Sequence, residues 1–209
     1  GKYMHNVELK AESHLAIFEI SPDGLQYRIV WGLTEGGRPT SELPTHLMNH
    51  EVKKRITQGR HRVIYHAHPA NLIALTFLLP LDSAVFPHLP QLRLQPGNAL
   101  ANQSAVLGVV KWMVPGGKPI AEETSVFMEQ VNAVVWAHHG LFCSGTDFDE
   151  TFGLMHTIEK SAEILIKVLS VSPNKRQTIT TADLIALAAD FHVTLNPEAL
   201  HLYDEGAEH

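Results

Sequence analysis

Three histidines constrain this chain more than any other feature. His66 and His68 flank Ala67 at the end of an apolar run, Arg62-Val63-Ile64-Tyr65, and His139 follows a second run, Ala133-Val134-Val135-Trp136-Ala137. Both runs read as ends of buried strands. Side chains alternate across a strand with period two, so His66 and His68 fall on the same side and can close on one ion. A fold that brings His139 to them joins two strand ends from distant parts of the chain. Three neutral imidazoles leave an open coordination position, as in catalytic rather than structural zinc sites. Two histidines that merely alternate on a strand edge are the bland alternative, and His139 beyond a second apolar strand weighs against it.

The rest of the chain alternates strand and helix patterns. Residues 15–20 and 26–31 are strand-like, and Ser21-Pro22-Asp23-Gly24 between them predicts a hairpin. A helix is expected from Leu43 to Ile56, ending before Gln58-Gly59, and another over 71–79, broken at Pro80. Residues 87–105 read as an atypical loop rich in proline and amides. A strand over 106–113, a turn at Pro115-Gly116-Gly117 and a helix over 120–131 follow. Asp147 or Asp149 is placed to cap a long helix running to about Ser170, and Thr180 or Thr181 to cap a last helix over 182–191. At 209 residues, with no internal repeat, the chain is expected to be a single α/β domain of packed layers.

Composition narrows the function classes. The formal net charge is −6 with no basic stripe, which argues against a nucleic-acid or anionic-membrane partner. No run reaches the roughly 18 apolar residues of a membrane span. One cysteine, Cys143, excludes an intramolecular disulfide and fits a cytoplasmic protein. It follows Leu141-Phe142 and reads as buried and inert.

A metal held by His66, His68 and His139 would act as a Lewis acid on a carbonyl and an adjacent hydroxyl, and such a site needs a carboxylate base. Glu42, at the entry of the first long helix, is the best candidate, with a simple dipole-favoured helix-start carboxylate as the alternative. Thr40 and Ser41 offer hydroxyls and N–H groups near the same helix start, which suits a phosphate. From local sequence alone, plain N-capping explains them better. His46 and His50 share a helix face, a spacing more often structural, and His138 should point away from His139 if its strand continues.

Several segments resemble a known family: Val30-Trp-Gly-Leu-Thr34, Pro39-Thr-Ser-Glu-Leu-Pro44, Arg62-Val-Ile-Tyr-His-Ala-His68, Asn71-Leu-Ile-Ala-Leu-Thr76, Trp112-Met-Val-Pro-Gly116, His139-Gly140, Asp149-Glu-Thr-Phe-Gly-Leu154 and Glu159-Lys-Ser-Ala162. In this order they resemble the bacterial rhamnulose-1-phosphate aldolases, within the zinc-dependent class II aldolases and epimerases. The resemblance implies a three-layer α/β/α fold with a largely antiparallel central sheet, assembled as a homotetramer with sites at subunit interfaces. It implies Zn2+ on His66, His68 and His139, a catalytic carboxylate at Glu42, and phosphate contacts from Thr40 and Ser41. The implied reaction is reversible cleavage of a phosphorylated ketose, L-rhamnulose 1-phosphate, to dihydroxyacetone phosphate and L-lactaldehyde. A related sugar-phosphate aldolase or epimerase, or a metal-binding module without turnover, are the alternatives.

Two departures stand out. The family carries an N-terminal segment with a Gly-Asn phosphate loop and a Ser-Gly-Lys turn, and Gly1-Lys2 resembles the tail of that turn, so an N-terminal truncation is expected. The family also carries an acidic proton donor in the region of 87–105, whereas this chain has no Asp or Glu from Ser83 to Ala121. That role is not carried over, and Gly97-Asn98 with Ser104 is only a faint echo of a phosphate loop.

Overall fold

The computed structural model describes residues 10–81, 107–173, 177, 179–190 and 192. The chain divides into two compact units, Gly1–Leu43 and Pro44–His209.

The first unit is built on a hairpin. A short helix, α1 (Ala11–His14), precedes β1 (Ala16–Ile20) and β2 (Tyr27–Gly32), which pair antiparallel. The predicted turn forms: Gly24 N–H donates to Ser21 O at 2.8 Å, and the Asp23 carboxylate accepts from Leu25 N–H at 3.0 Å. Glu19 faces Arg28 across the ladder and pairs with it, an exposed contact worth little on its own.

The second unit is a four-stranded sheet in the order β3-β6-β5-β4. Here β3 is Val63–Ala67, β4 Gly108–Val110, β5 Ala133–Trp136 and β6 Gly140–Gly145. The β3–β6 and β6–β5 pairs are antiparallel and β5–β4 is parallel, so the sheet is mixed and largely antiparallel. Because side chains alternate, the two faces of β5 and β6 enter different cores. Val135, Leu141 and Cys143 pack with Leu72 and Leu75 of α3 (Ala70–Leu75) and with Leu154 and Ile158 of α5 (Phe148–Val171). Val134, Trp136 and Phe142 pack with Ile120 and Met128 of α4 (Lys118–Met128) and with Val52 of α2 (Leu43–Ile56). Helices thus cover both faces, the layered arrangement anticipated from the strand–helix alternation.

Local signals set the helix ends. Asp147 caps α5 by accepting from Glu150 N–H at 2.8 Å. Thr180 and Asp183 cap α6 (Thr181–Asp190) reciprocally: Asp183 Oδ2 accepts from Thr180 N–H at 2.9 Å, and Thr180 Oγ1 accepts from Asp183 N–H at 3.2 Å. Lys53 is fully buried on α2 and donates 2.7 Å hydrogen bonds to Val131 O and Asn132 Oδ1, tying that helix to the start of β5.

Several element bounds differ from the sequence reading. Helix α3 stops at Leu75 rather than 79, because the chain tightens into i→i+3 turns at Thr76, Phe77 and Leu78. The strand expected over 106–113 is regular only at Gly108–Val110. Helix α4 begins two residues early, with Pro119 in its first turn, where no intrahelical N–H is needed. Strand β6 and α1 were not anticipated. The loop expected over 87–105, with Gly97, Asn98 and Ser104, lies outside the described residues.

Candidate metal centre

The sheet order explains how the three histidines meet. Strand β6 lies between β3, which carries His66, and β5, which leads into His139. His66 sits opposite Phe142 in register, on the face shared with Ile64 and Trp136. Its ring stacks on Phe142, with centroids 4.1 Å apart and planes 20° apart, and its centroid lies 5.7 Å from that of Trp136. Trp136 is held in turn by its indole N–H, which donates to Thr124 Oγ1 on α4 at 2.7 Å. His68 lies one residue past the end of β3, and His139 lies in the three-residue loop 137–139 between β5 and β6.

One ligand atom from each of the three rings falls within 4.8 Å of those from the other two. The Nε2 atoms of His68 and His139 are 3.3 Å apart. His66 Nδ1 lies 3.1 Å from Leu141 O, and a carbonyl can only accept, so Nδ1 carries the proton and Nε2 carries the lone pair. Burial, followed by the neighbouring His68, pushes the pKa of His66 down to about 3, so this ring is neutral at physiological pH, as a metal ligand must be.

Gly140 is what permits this approach. A Cβ there would lie 2.6 Å from Ala67 O, 2.9 Å from His66 Cε1 and 3.0 Å from His68 Cδ2. The glycine leaves space where the backbone of β6 runs beneath two of the three rings. A donor set of three nitrogens with one fixed tautomer suits a divalent transition-metal ion and does not suit the oxygen-seeking Ca2+ or Mg2+.

The structure thus brings together His66, His68 and His139. Glu42, Thr40 and Ser41 stand at the end of the first unit. Glu42 is buried and directly precedes α2, while Thr40 and Ser41 are exposed. Thr40 behaves as a helix-start residue, its carbonyl accepting from Leu43 N–H at 3.1 Å and its Oγ1 from Glu42 N–H at 3.3 Å.

Two histidines set aside in the sequence have structural roles beside this centre. His46, on α2, packs 5.2 Å from Phe142 and 6.5 Å from His66, centroid to centroid, and burial, with a smaller effect of His50, lowers its pKa to about 4. The only hint in the sequence is its position one helical turn after Glu42. His138 does not continue the strand: its backbone is left-handed, with φ of 61°, and its Nδ1 lies 3.1 Å from Thr76 Oγ1. Cys143 is buried as expected, and burial raises its thiol pKa, which leaves it protonated and unreactive.

Comparison with known proteins agrees with this geometry. Residues 3–166 match the family model described as Class II Aldolase and Adducin N-terminal domain. A rhamnulose-1-phosphate aldolase of Yersinia pestis (strain Pestoides F) is 45% identical over 202 residues, covering 96% of this chain and 72% of the relative. One from Pectobacterium atrosepticum is 44% identical, covering 97% and 73%. Among solved structures, a sugar-phosphate aldolase from Thermotoga maritima superposes with a TM-score of 0.64 at 32% identity, over 79% of this chain and 68% of that one. The three-histidine cluster, the layered fold and these matches converge on one assignment: the chain belongs to the class II aldolase family.

Proposed function

We propose that this protein is a zinc-dependent aldolase that cleaves L-rhamnulose 1-phosphate reversibly to dihydroxyacetone phosphate and L-lactaldehyde. The observation that carries the reading is the trio of imidazoles at the sheet end, with the His66 tautomer fixed by Leu141 O. The substrate follows from the relatives of 44–45% identity that bear this activity in their names.

His66, His68 and His139 would hold the ion. When bound, zinc supplies Lewis-acid polarisation of the ketose carbonyl and its neighbouring hydroxyl. Glu42 serves as the carboxylate that returns a proton to the carbon freed when the carbon–carbon bond breaks, and removes it in the condensation direction. Glu42 is buried, which keeps its carboxylate away from bulk water. Thr40 and Ser41 contact the phosphate. Thr40 Oγ1 accepts from Glu42 N–H, so its own proton is available to donate.

Both compact units act as one functional domain in this reading, since the family match runs from residue 3 to 166. The active form is a cytoplasmic homotetramer working in rhamnose metabolism. Among the described residues no helix is long and apolar enough to cross a membrane. A metal-binding module without turnover is favoured by one observation, the absence of any Asp or Glu between Ser83 and Ala121 to protonate the aldehyde-derived oxygen.

The deciding experiment is a cleavage assay on L-rhamnulose 1-phosphate that traps dihydroxyacetone phosphate, with and without a chelator. Cleavage lost to the chelator and restored by zinc is the expected result. A stoichiometrically zinc-loaded protein with no turnover would favour the non-catalytic module.

A further inference from the structure

The loop carrying His139 contains an unusual backbone. His139 N–H donates to Trp136 O at 3.1 Å, closing a four-residue turn. Its third residue, His138, has φ of 61°, in a position where glycine or asparagine is the ordinary choice. A side chain with a Cβ is disfavoured there, so something outside the loop must hold it.

Thr76 is that group. It sits just past the end of α3, is 2% exposed, and its Oγ1 has three partners. The hydroxyl donates to Ile73 O at 2.6 Å, which uses its only proton. Its two lone pairs then accept from His138 N–H at 3.0 Å and from His138 Nδ1–H at 3.1 Å. Every hydrogen-bonding position of the hydroxyl is filled, and two of the three fix one residue. The Phe77 ring lies 4.1 Å from that of His138, centroid to centroid.

We propose that Thr76 is a positioning residue for the metal centre: its hydroxyl pins His138 in the left-handed turn and so sets where the adjacent His139 presents its imidazole. This rests on the three-histidine reading above. It also makes α3 a brace for the metal-ligand loops, since the same short helix follows His68 by one residue.

The test compares Thr76→Val, which keeps the shape and loses the hydroxyl, with Thr76→Ser, which keeps the hydroxyl. Cobalt affinity is titrated through its visible absorption, and hydrogen exchange of the His138 amide is followed in metal-free full-length protein. Loss of a partner that orients a ligand ordinarily weakens metal binding about 10–100-fold. That loss is expected for Thr76→Val, with faster His138 exchange, while Thr76→Ser stays within a few-fold of the parent in both measurements. If Thr76→Val does not fold, Thr76→Ala takes its place. Parent-like cobalt affinity in the hydroxyl-free variant overturns the proposal, as does a serine variant that loses as much as valine. A parent protein that binds no cobalt refutes the metal-centre reading itself. The exchange measurement then judges the tether alone, and an unchanged His138 amide in Thr76→Val rejects it.

Discussion

The imidazole of His66 lies flat against the ring of Phe142, its register partner on β6, with 4.1 Å between centroids. The same ring anchors its Nδ1 on Leu141 O, one residue away on that strand. Position and tautomer of one histidine are therefore both set by two consecutive residues of β6. Truncating Phe142 to Ala should remove a fully buried aromatic from the α2/α4 core and cost about 3–5 kcal/mol of stability. Urea denaturation of the two proteins measures it. A loss under 1 kcal/mol would mean that the stack is incidental.

Gly140→Ala tests the close approach of β6 to the histidines. The new methyl would meet backbone at Ala67 O, which cannot swing aside as a flexible side chain can. Strands β3 and β6 must separate, so cobalt affinity should fall by at least 10-fold, as read by spectroscopic titration. Undiminished affinity would show that the sheet edge yields without cost to the centre.

A pH dependence follows from the neutral histidines. Burial lowers the pKa of His46 to about 4 and that of His66 to about 3, against about 6.5 in an unfolded chain. Between these values the unfolded state binds protons that the folded state does not, so stability falls as pH drops. The metal-free protein should be at full strength above pH 6.5 and lose stability progressively toward pH 4. Urea midpoints at pH 7.0, 5.5 and 4.5 report it, and His46→Gln should flatten the slope.

Glu159 of α5 reaches across to the start of α3. Its carboxylate accepts from Asn71 N–H at 3.0 Å, Leu72 N–H at 3.0 Å and Asn71 Nδ2 at 2.8 Å. In Glu159→Gln one oxygen becomes an amide donor facing N–H groups, with the charge lost as well. The expected cost is about 1.5–3 kcal/mol, measured by thermal and chemical denaturation. The Asp variant, one methylene shorter, should recover little of it, because the carboxylate no longer spans the gap.

Much of this was legible in the sequence because local chemistry decides it. The Ser21–Gly24 turn, the Asp147 cap and the alternation that puts His66 and His68 on one side all depend on neighbours within a few residues. Strand β6 was not legible. It is one of the two inner strands of its sheet, buried on both faces, so Gly140-Leu-Phe-Cys-Ser-Gly145 has no polar alternation to betray it. Thr76 was equally hidden, since its partner His138 lies 62 residues away in sequence. His46 reads as structural from its helix-face spacing with His50, but only tertiary packing places its ring beside Phe142.

The three-residue loop between β5 and β6 has a consequence for how the molecule comes into being. His139 lies on that loop, and Leu141, whose carbonyl fixes the His66 tautomer, lies two residues further on. A slip of β3 against β6 by a single residue would turn His66 to the opposite face of the sheet and take it from both Phe142 and Leu141. The three imidazoles meet only when the strand pairing is right, so on the proposed reading of them as metal ligands a misregistered chain would lack His66 from the set.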